Sequence, residues 1–459
     1  MGTLLRDPRF AASLVLFLAL IVRVGLVAGT PRGPVAYDEV LYDALARNVL
    51  DGVGYRLDGY PASVPEAYAE GPTAIMAPGY PVFLMAAYSA LGRDLDALRL
   101  LQALLAAFSC VLVYAVVRAW RLGPHSDELV PYVALLAGVL AAVSRVLTKW
   151  TNLVLSENLA VPLVLLAALL LLRPPSRRRA VNITAVALAL AAATHVRSEL
   201  VILVPVALLW VGLAAPRLRD VRLRAAKWRG RDALWLALVF ALLLVPWTVR
   251  NWHQLGGFVF VRSFSGPVMY YANNESLPSV WAMSQGQTAS MPPGAADLPP
   301  GDELALDRFL RSEALSFMRA HPDRVARAAA LKTAEFWRPI ADPWRTPGDL
   351  GNSLLPGVLA WWLAFAGLFV GLRRPRRSAL VYGMLLVELA FVAMFAAWER
   401  ERFRSPMYPF ELMFLSAGVT AVLVALGDLV RALRGRDVPA AARRTWLGLG
   451  AAAAALVLL

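Results

Sequence analysis

The chain has 459 residues, 59% of them hydrophobic, with a single cysteine and a formal net charge of +14 at pH 7. An apolar share well above the roughly one half of soluble proteins, carried in runs of membrane length, excludes an ordinary soluble globular protein and points to an all-α polytopic membrane protein. Cys110 stands alone, so an intramolecular disulfide is excluded.

In chain order, apolar spans are expected at about 10–28, 97–117, 130–147, 154–172, 180–194, 200–215, 233–249, 354–372, 378–398, 409–427 and 445–459, which makes about 11 transmembrane helices. Val27-Ala28-Gly29-Thr30 is a weak cleavage motif, so the first span is read as a retained helix. With a cytoplasmic N-terminus, the short cytoplasmic segments hold 24 basic residues against seven acidic ones, from Arg6 and Arg9 through the run Arg217 to Arg231 to Arg443 and Arg444. The positive excess therefore lies where the positive-inside rule puts it. It reports a topology in the cell (plasma) membrane and argues against a nucleic-acid partner.

Three regions are expected: a transmembrane module 1–250 with a long first non-cytoplasmic loop 29–96, a second large loop 251–353, and C-terminal transmembrane helices 354–459. The first loop should carry juxtamembrane helices. In the second, Leu304, Phe309, Leu310, Phe317 and Met318 recur near helical spacing within Asp302–Trp337, which suits a helix on the membrane surface or packed over the spans, broken at Pro322.

Asp38 and Glu39 open the first loop directly before the periodic stretch Val40–Leu50, in which Asp43 and Arg47 stand at i,i+4. Asp38 is either a helix N-cap or, at a membrane boundary, a general base toward a hydroxyl. Glu157, within Ser156-Glu157-Asn158 at the start of the fourth span, is a second acid on the same face or a helix-start residue favoured by the dipole. The fifth span, 180–194, reaches only about 22 Å against a hydrocarbon core of about 30 Å. The turn His195–Glu199 is thus recessed, and Arg197 within it must face protein or a wet cavity, as a functional cation or as a partner of Glu199 or Asp38. Arg250, with Arg400, Arg402 and Arg404, adds guanidinium groups to this face, a set suited to an anionic lipid headgroup. Glu388 is a further intramembrane carboxylate without an assigned role. The histidines His125, His195, His253 and His321 show no metal spacing. Metal dependence stays open, with Asp38 and Glu157 able in principle to hold a divalent cation such as Mg or Mn.

The order Tyr37-Asp38-Glu39-x-x-Tyr42, Gly54-Tyr55, Pro72-Thr73 and Ala77-Pro78-Gly79-Tyr80-Pro81 resembles the first loop of the bacterial protein-mannosyltransferase-like family of GT-C glycosyltransferases. Leu155-Ser156-Glu157, the turn Thr194 to Glu199, Pro246 to Trp252, Asn273-Asn274 and Arg402 to Phe410 extend the resemblance over nearly the whole chain. It implies a GT-C fold and transfer of a sugar, with inversion, from a polyprenyl-phosphate donor to a hydroxyl of a glycan, lipid or protein acceptor on the non-cytoplasmic face. Asp38, beside Glu39, would be the base, and Glu157 would orient the acceptor or hold a divalent ion. Arg197, Arg250 and Arg402, with Arg400 and Arg404, would take the donor phosphate, and Tyr37, Tyr42, Tyr80, His195 and Asn273 would line the pocket. Met76-Ala77-Pro78 lacks the lysine that some members carry before this proline, which loosens any transfer of donor or acceptor identity. A lipid or saccharide transporter and a non-catalytic assembly subunit are the other two readings.

Overall fold

The computed structural model describes residues 4–30, 35, 38–57, 71–123, 127–173, 178–214, 230–275, 291–337, 350–372, 375–395 and 400–434. Helices follow in the order Pro8–Gly29 (α1), Asp38–Leu50 (α2), Gly79–Leu91 (α3), Leu95–Trp120 (α4), Val130–Val143 (α5), Arg145–Lys149 (α6), Glu157–Leu172 (α7), Arg179–Val196 (α8), Leu203–Leu209 (α9), Gly230–Leu255 (α10), Ser265–Ala272 (α11), Glu303–Ala320 (α12), Pro322–Trp337 (α13), Leu350–Leu372 (α14), Pro375–Phe395 (α15), Arg400–Arg404 (α16) and Tyr408–Leu433 (α17). No β-strand occurs among the described residues.

Their ends are written locally. Asp7 accepts from the amides of Arg9 and Phe10 and Pro8 fixes the first turn of α1, while Asp94 caps α4 and Asp302 caps α12 in the same way. Ten of the eleven expected apolar segments are helical, and 445–459 lies outside the described residues. Among the described residues, six helices are by themselves long and apolar enough to cross a membrane, or seven if Val130–Val143 and Arg145–Asn152, bent by 46°, form one span. The remaining expected segments, including Glu157–Leu172 and Ser198–Gly212, are shorter apolar helices. Leu234, Leu242 and Phe17 point outward from α10 and α1, as lipid-facing side chains do. The chain is a multi-pass membrane protein.

Among the described residues, two large apolar cores lie beside a small cluster of Phe336 and Val392. One runs through the bundle, with Val15, Val113, Ala137, Val164, Leu190 and Phe410 fully or almost fully buried. The other lies at one end, where Tyr42, Leu57, Ile75, Tyr80, Leu98, Leu155, Tyr270 and Leu310 join the first loop, the second loop and the ends of α4 and α7. The expected break at Pro322 is present, and α12 turns its Leu306, Leu310 and Ala314 into this second core rather than lying free on a surface.

Close approach depends on glycine at a few places. Gly367 on α14 and Gly418 on α17 let those helices touch backbone to backbone, a small-residue contact of the kind that membrane helices use. Gly79 opens α3 against the turn that carries Arg197: an added Cβ would lie 2.7 Å from the His195 carbonyl carbon. Gly79→Ala is therefore expected to cost about 1–3 kcal/mol, because backbone rather than a flexible side chain must move. Thermal unfolding of the purified variant checks this, and an unchanged midpoint would contradict the contact.

Candidate active site

Asp38 is the first residue of α2, Glu157 the first of α7, Arg197 follows the last residue of α8, and Arg402 sits on the five-residue α16 between α15 and α17. Four separate elements thus bring one charged side chain each to the same end of the bundle. Asp38 Oδ2 accepts from Arg402 Nη1 at 2.7 Å, and Arg402 Nε donates to Glu157 Oε1 at 2.6 Å. The same Glu157 oxygen accepts from Arg197 Nη1 at 2.6 Å, and Arg197 Nε donates to Glu199 Oε1 at 2.6 Å. The result is a continuous chain, Asp38–Arg402–Glu157–Arg197–Glu199.

Its exposure is graded. The Glu157 side chain is 0% exposed, those of Arg197 and Arg402 are 8% and 16%, and that of Asp38 is 34%. Ions taken so far out of water persist only when each is paired, which is why the interior members alternate in sign. Burial opposes the Arg197 charge, but Glu199 and Glu157 outweigh it and hold its pKa above the ordinary value. The Arg197 guanidinium also stacks 5.7 Å from the Phe403 ring centre. Chemically, the chain is a rigid row of fixed charges that ends in one accessible carboxylate.

Neighbours hold this row rather than extend it. Glu39, although next to Asp38, is buried and accepts the Val154 amide at 2.6 Å, so it fastens the segment leading into Glu157. Tyr42, one turn after Asp38, is buried, and its ring meets Tyr80 edge to face at 4.9 Å. The Tyr80 hydroxyl donates to Gln102 Oε1 at 2.5 Å, and Gln102 Nε2 donates to the Thr151 and Leu153 carbonyls. Both tyrosines, expected to line a pocket, support the approach to Glu157. Ser156, at the N-terminus of α7, makes no side-chain capping bond, and Asn158 Nδ2 donates to the Trp150, Leu153 and Leu155 carbonyls, fastening the segment that leads into the helix.

Two of the arginines expected to bind phosphate are occupied elsewhere. Arg250 donates to the Thr73 carbonyl at 2.8 Å and the Tyr55 carbonyl at 3.1 Å, and lies 4.9 Å over the Trp247 ring, so it clamps the first loop onto α10. Arg404 pairs with Glu411 through two nitrogens and donates to the Phe336 carbonyl at 2.9 Å. Asn273 ties α11 to the end of α15 by donating to the Met394 carbonyl at 2.9 Å. His195 Nε2 lies 3.2 Å from the Leu243 carbonyl oxygen, between α8 and α10. Tyr37 and the Arg400 side chain lie outside the described residues.

Three further residues act here without a sequence signal of their own. Arg262 donates to the Ile75 carbonyl at 2.5 Å. Glu303 accepts from Thr73 Oγ1 at 2.6 Å and the Ala74 amide at 2.9 Å, and burial pushes its pKa above the usual carboxylate value. Lys332 on α13 is buried and donates to the Ala272 carbonyl at 2.9 Å; no carboxylate pairs with it among the described residues. Burial lowers its pKa from 10.5 to about 8. The folded value lies below the unfolded one, so the buried charge destabilises the fold below pH 8, and the penalty fades as pH rises toward 10.5. Lys332→Met is expected to raise the unfolding midpoint at pH 7, by at most about 3 kcal/mol of stability, with the gain vanishing near pH 10. A difference that stays constant across that range would contradict an uncompensated charge.

Asp38 and Glu157, the pair considered for a divalent cation, are bridged by Arg402, which stands between their carboxylates with its own positive charge. No group of three His, Cys, Asp or Glu side chains converges among the described residues. This donor set does not fit a resident Mg or Mn ion, and no step is assigned to one.

No protein-family model and no curated protein matches the chain. Solved structures do. The oligosaccharyltransferase of Archaeoglobus fulgidus, tethered to an acceptor peptide, superimposes with a TM-score of 0.52 at 13% identity over 98% of this chain. AglB of the same organism, with an inhibitory peptide and dolichol-phosphate, gives 0.53 at 14% over 97%. The chain spans about half the length of these two, 54% and 55%. ArnT of Cupriavidus metallidurans, bound to undecaprenyl phosphate, aligns over 94% of this chain and 80% of its own at 14% identity, with a TM-score of 0.35. By its fold the chain is a polytopic membrane protein similar to the two archaeal oligosaccharyltransferase structures.

Proposed function

We propose that the protein is an integral membrane glycosyltransferase that moves a sugar from a polyprenyl-phosphate donor to an acceptor hydroxyl, with inversion. The observation that carries this reading is the graded ion chain: one accessible carboxylate, Asp38, paired with a part-buried guanidinium, Arg402, whose side chain is 16% exposed. The GT-C fold adds to it, since solved proteins of that fold were captured with dolichol-phosphate and acceptor peptide. In the step, Asp38 takes the proton of the acceptor hydroxyl, and the freed oxygen lone pair forms a bond to the anomeric carbon. The bond from that carbon to the phosphate oxygen breaks from the opposite face, and its electron pair stays on the phosphate. Arg402 faces the oxygen where charge develops, while Glu157 and Arg197 keep Arg402 from swinging away. The N-terminus is cytoplasmic in this reading and the ion chain opens to the other side, as the arginine distribution supports.

The test is the purified protein in lipid nanodiscs with a panel of radiolabelled polyprenyl-phosphate sugars and a mixture of glycan, lipid and peptide acceptors. Release of free polyprenyl phosphate that tracks label transfer is the expected result. Donor binding without turnover on any acceptor would turn the reading toward a protein that carries or moves lipid without chemistry.

A further inference from the structure

Resting on that reading of the site, we infer that Arg402 is shared between the base and the leaving group: its Nη1 changes partner from Asp38 to the donor's phosphate during transfer. The geometry separates an anchored arm from an exchangeable one. Arg402 Nε is held at 2.6 Å by Glu157, whose side chain is wholly buried, whereas Nη1 is held at 2.7 Å by Asp38, the most exposed member of the chain. The outer pair is screened by solvent and weak; the inner one is not. A guanidinium carries several N–H donors in one plane, so it can keep Glu157 while its outer edge swaps one oxyanion for another.

Charge bookkeeping gives the swap a direction. A polyprenyl-phosphate sugar is a phosphodiester with one negative charge. When the bond to the anomeric carbon breaks, the phosphate keeps the electron pair and becomes a monoester with two. In the same step Asp38 accepts the acceptor's proton and becomes neutral. The carboxylate that holds Arg402 thus loses its charge as the phosphate gains one, and the total is unchanged. Before the donor arrives, the base is occupied by Arg402; with the donor in place, it is released. The site then takes donor before acceptor and does not activate a hydroxyl in an empty pocket.

The test uses the full chain in nanodiscs and a short isoprenyl monophosphate, citronellyl phosphate, with citronellol as the uncharged control. Asp38→Asn copies the neutral, post-transfer residue. It is expected to bind citronellyl phosphate about tenfold tighter than wild type, a coupling of ordinary size between two sites, with citronellol binding unchanged. Asp38→Ala should give the same gain, and in an Arg402→Gln background neither substitution should matter. Unchanged or weaker binding by both Asp38 variants, with unfolding midpoints like wild type, would overturn the exchange, as would an equal gain in the Arg402→Gln background. If no protein distinguishes citronellyl phosphate from citronellol, the donor assignment itself fails and the exchange falls with it.

Discussion

Glu157→Gln is expected to cost about 3 kcal/mol of stability and to abolish transfer. A single Glu157 oxygen accepts from Arg197 and from Arg402, both at 2.6 Å, in a place water does not reach. An amide oxygen carries too little charge to hold two guanidinium groups side by side. Each arginine retains one carboxylate, Glu199 or Asp38, but the two cations then face one another with no anion between them. Arg402, on its five-residue helix, is the one able to retreat, and the fixed distance between base and cation goes with it. Thermal unfolding and donor turnover measure the two effects separately. Adding Arg402→Gln should restore part of the stability and none of the turnover. A Glu157→Gln protein that unfolds like wild type would mean the chain of charges is not the keystone of this end of the bundle.

Asp38→Asn should behave in the opposite way, keeping the fold and losing the reaction. The side chain is 34% exposed and its pair with Arg402 is the outermost of the four, so loss of the charge costs little stability. The amide has the same shape but cannot take the acceptor's proton. Removal of a positioned general base lowers turnover by about 10²- to 10⁴-fold. The comparison is turnover at saturating donor, with protein amount fixed by a folded-state readout. A variant that retains wild-type turnover would move the base elsewhere and leave Asp38 as a helix-start residue.

Hydropathy made the bundle legible, because a spanning helix must satisfy its backbone internally and so declares itself by length and apolarity. The break at Pro322 and the pairing of Asp43 with Arg47, at 3.2 Å, were also written locally. Sorting charged residues by side brought Asp38, Glu157, Arg197 and Arg402 into one group, and the fold joins them. The same sorting placed Arg250 and Arg404 in that group, and the fold gives them carbonyls and Glu411 as partners. A carbonyl acceptor has no sequence signature, so an arginine given to backbone reads like one given to a ligand. Asp38 and Glu39 illustrate a second limit. Successive helical residues point about 100° apart, so one joins the charged row and the other fastens Val154, a difference set by the rotation of α2 and not by residue type.

Among the described residues of the first loop, Tyr55 and the stretch Thr73 to Ile75 are gripped mostly by their backbone. Arg250 takes the carbonyls of Tyr55 and Thr73, Arg262 that of Ile75, Glu303 the amide of Ala74, and the Ser263 amide the carbonyl of Ala74. Only the Thr73 hydroxyl, on Glu303, contributes a side chain to these bonds. A grip of this kind is blind to most of the side chains it holds. This stretch can change most of its side chains through mutation while its path stays the same, with Asp38 and Arg402 left where they are.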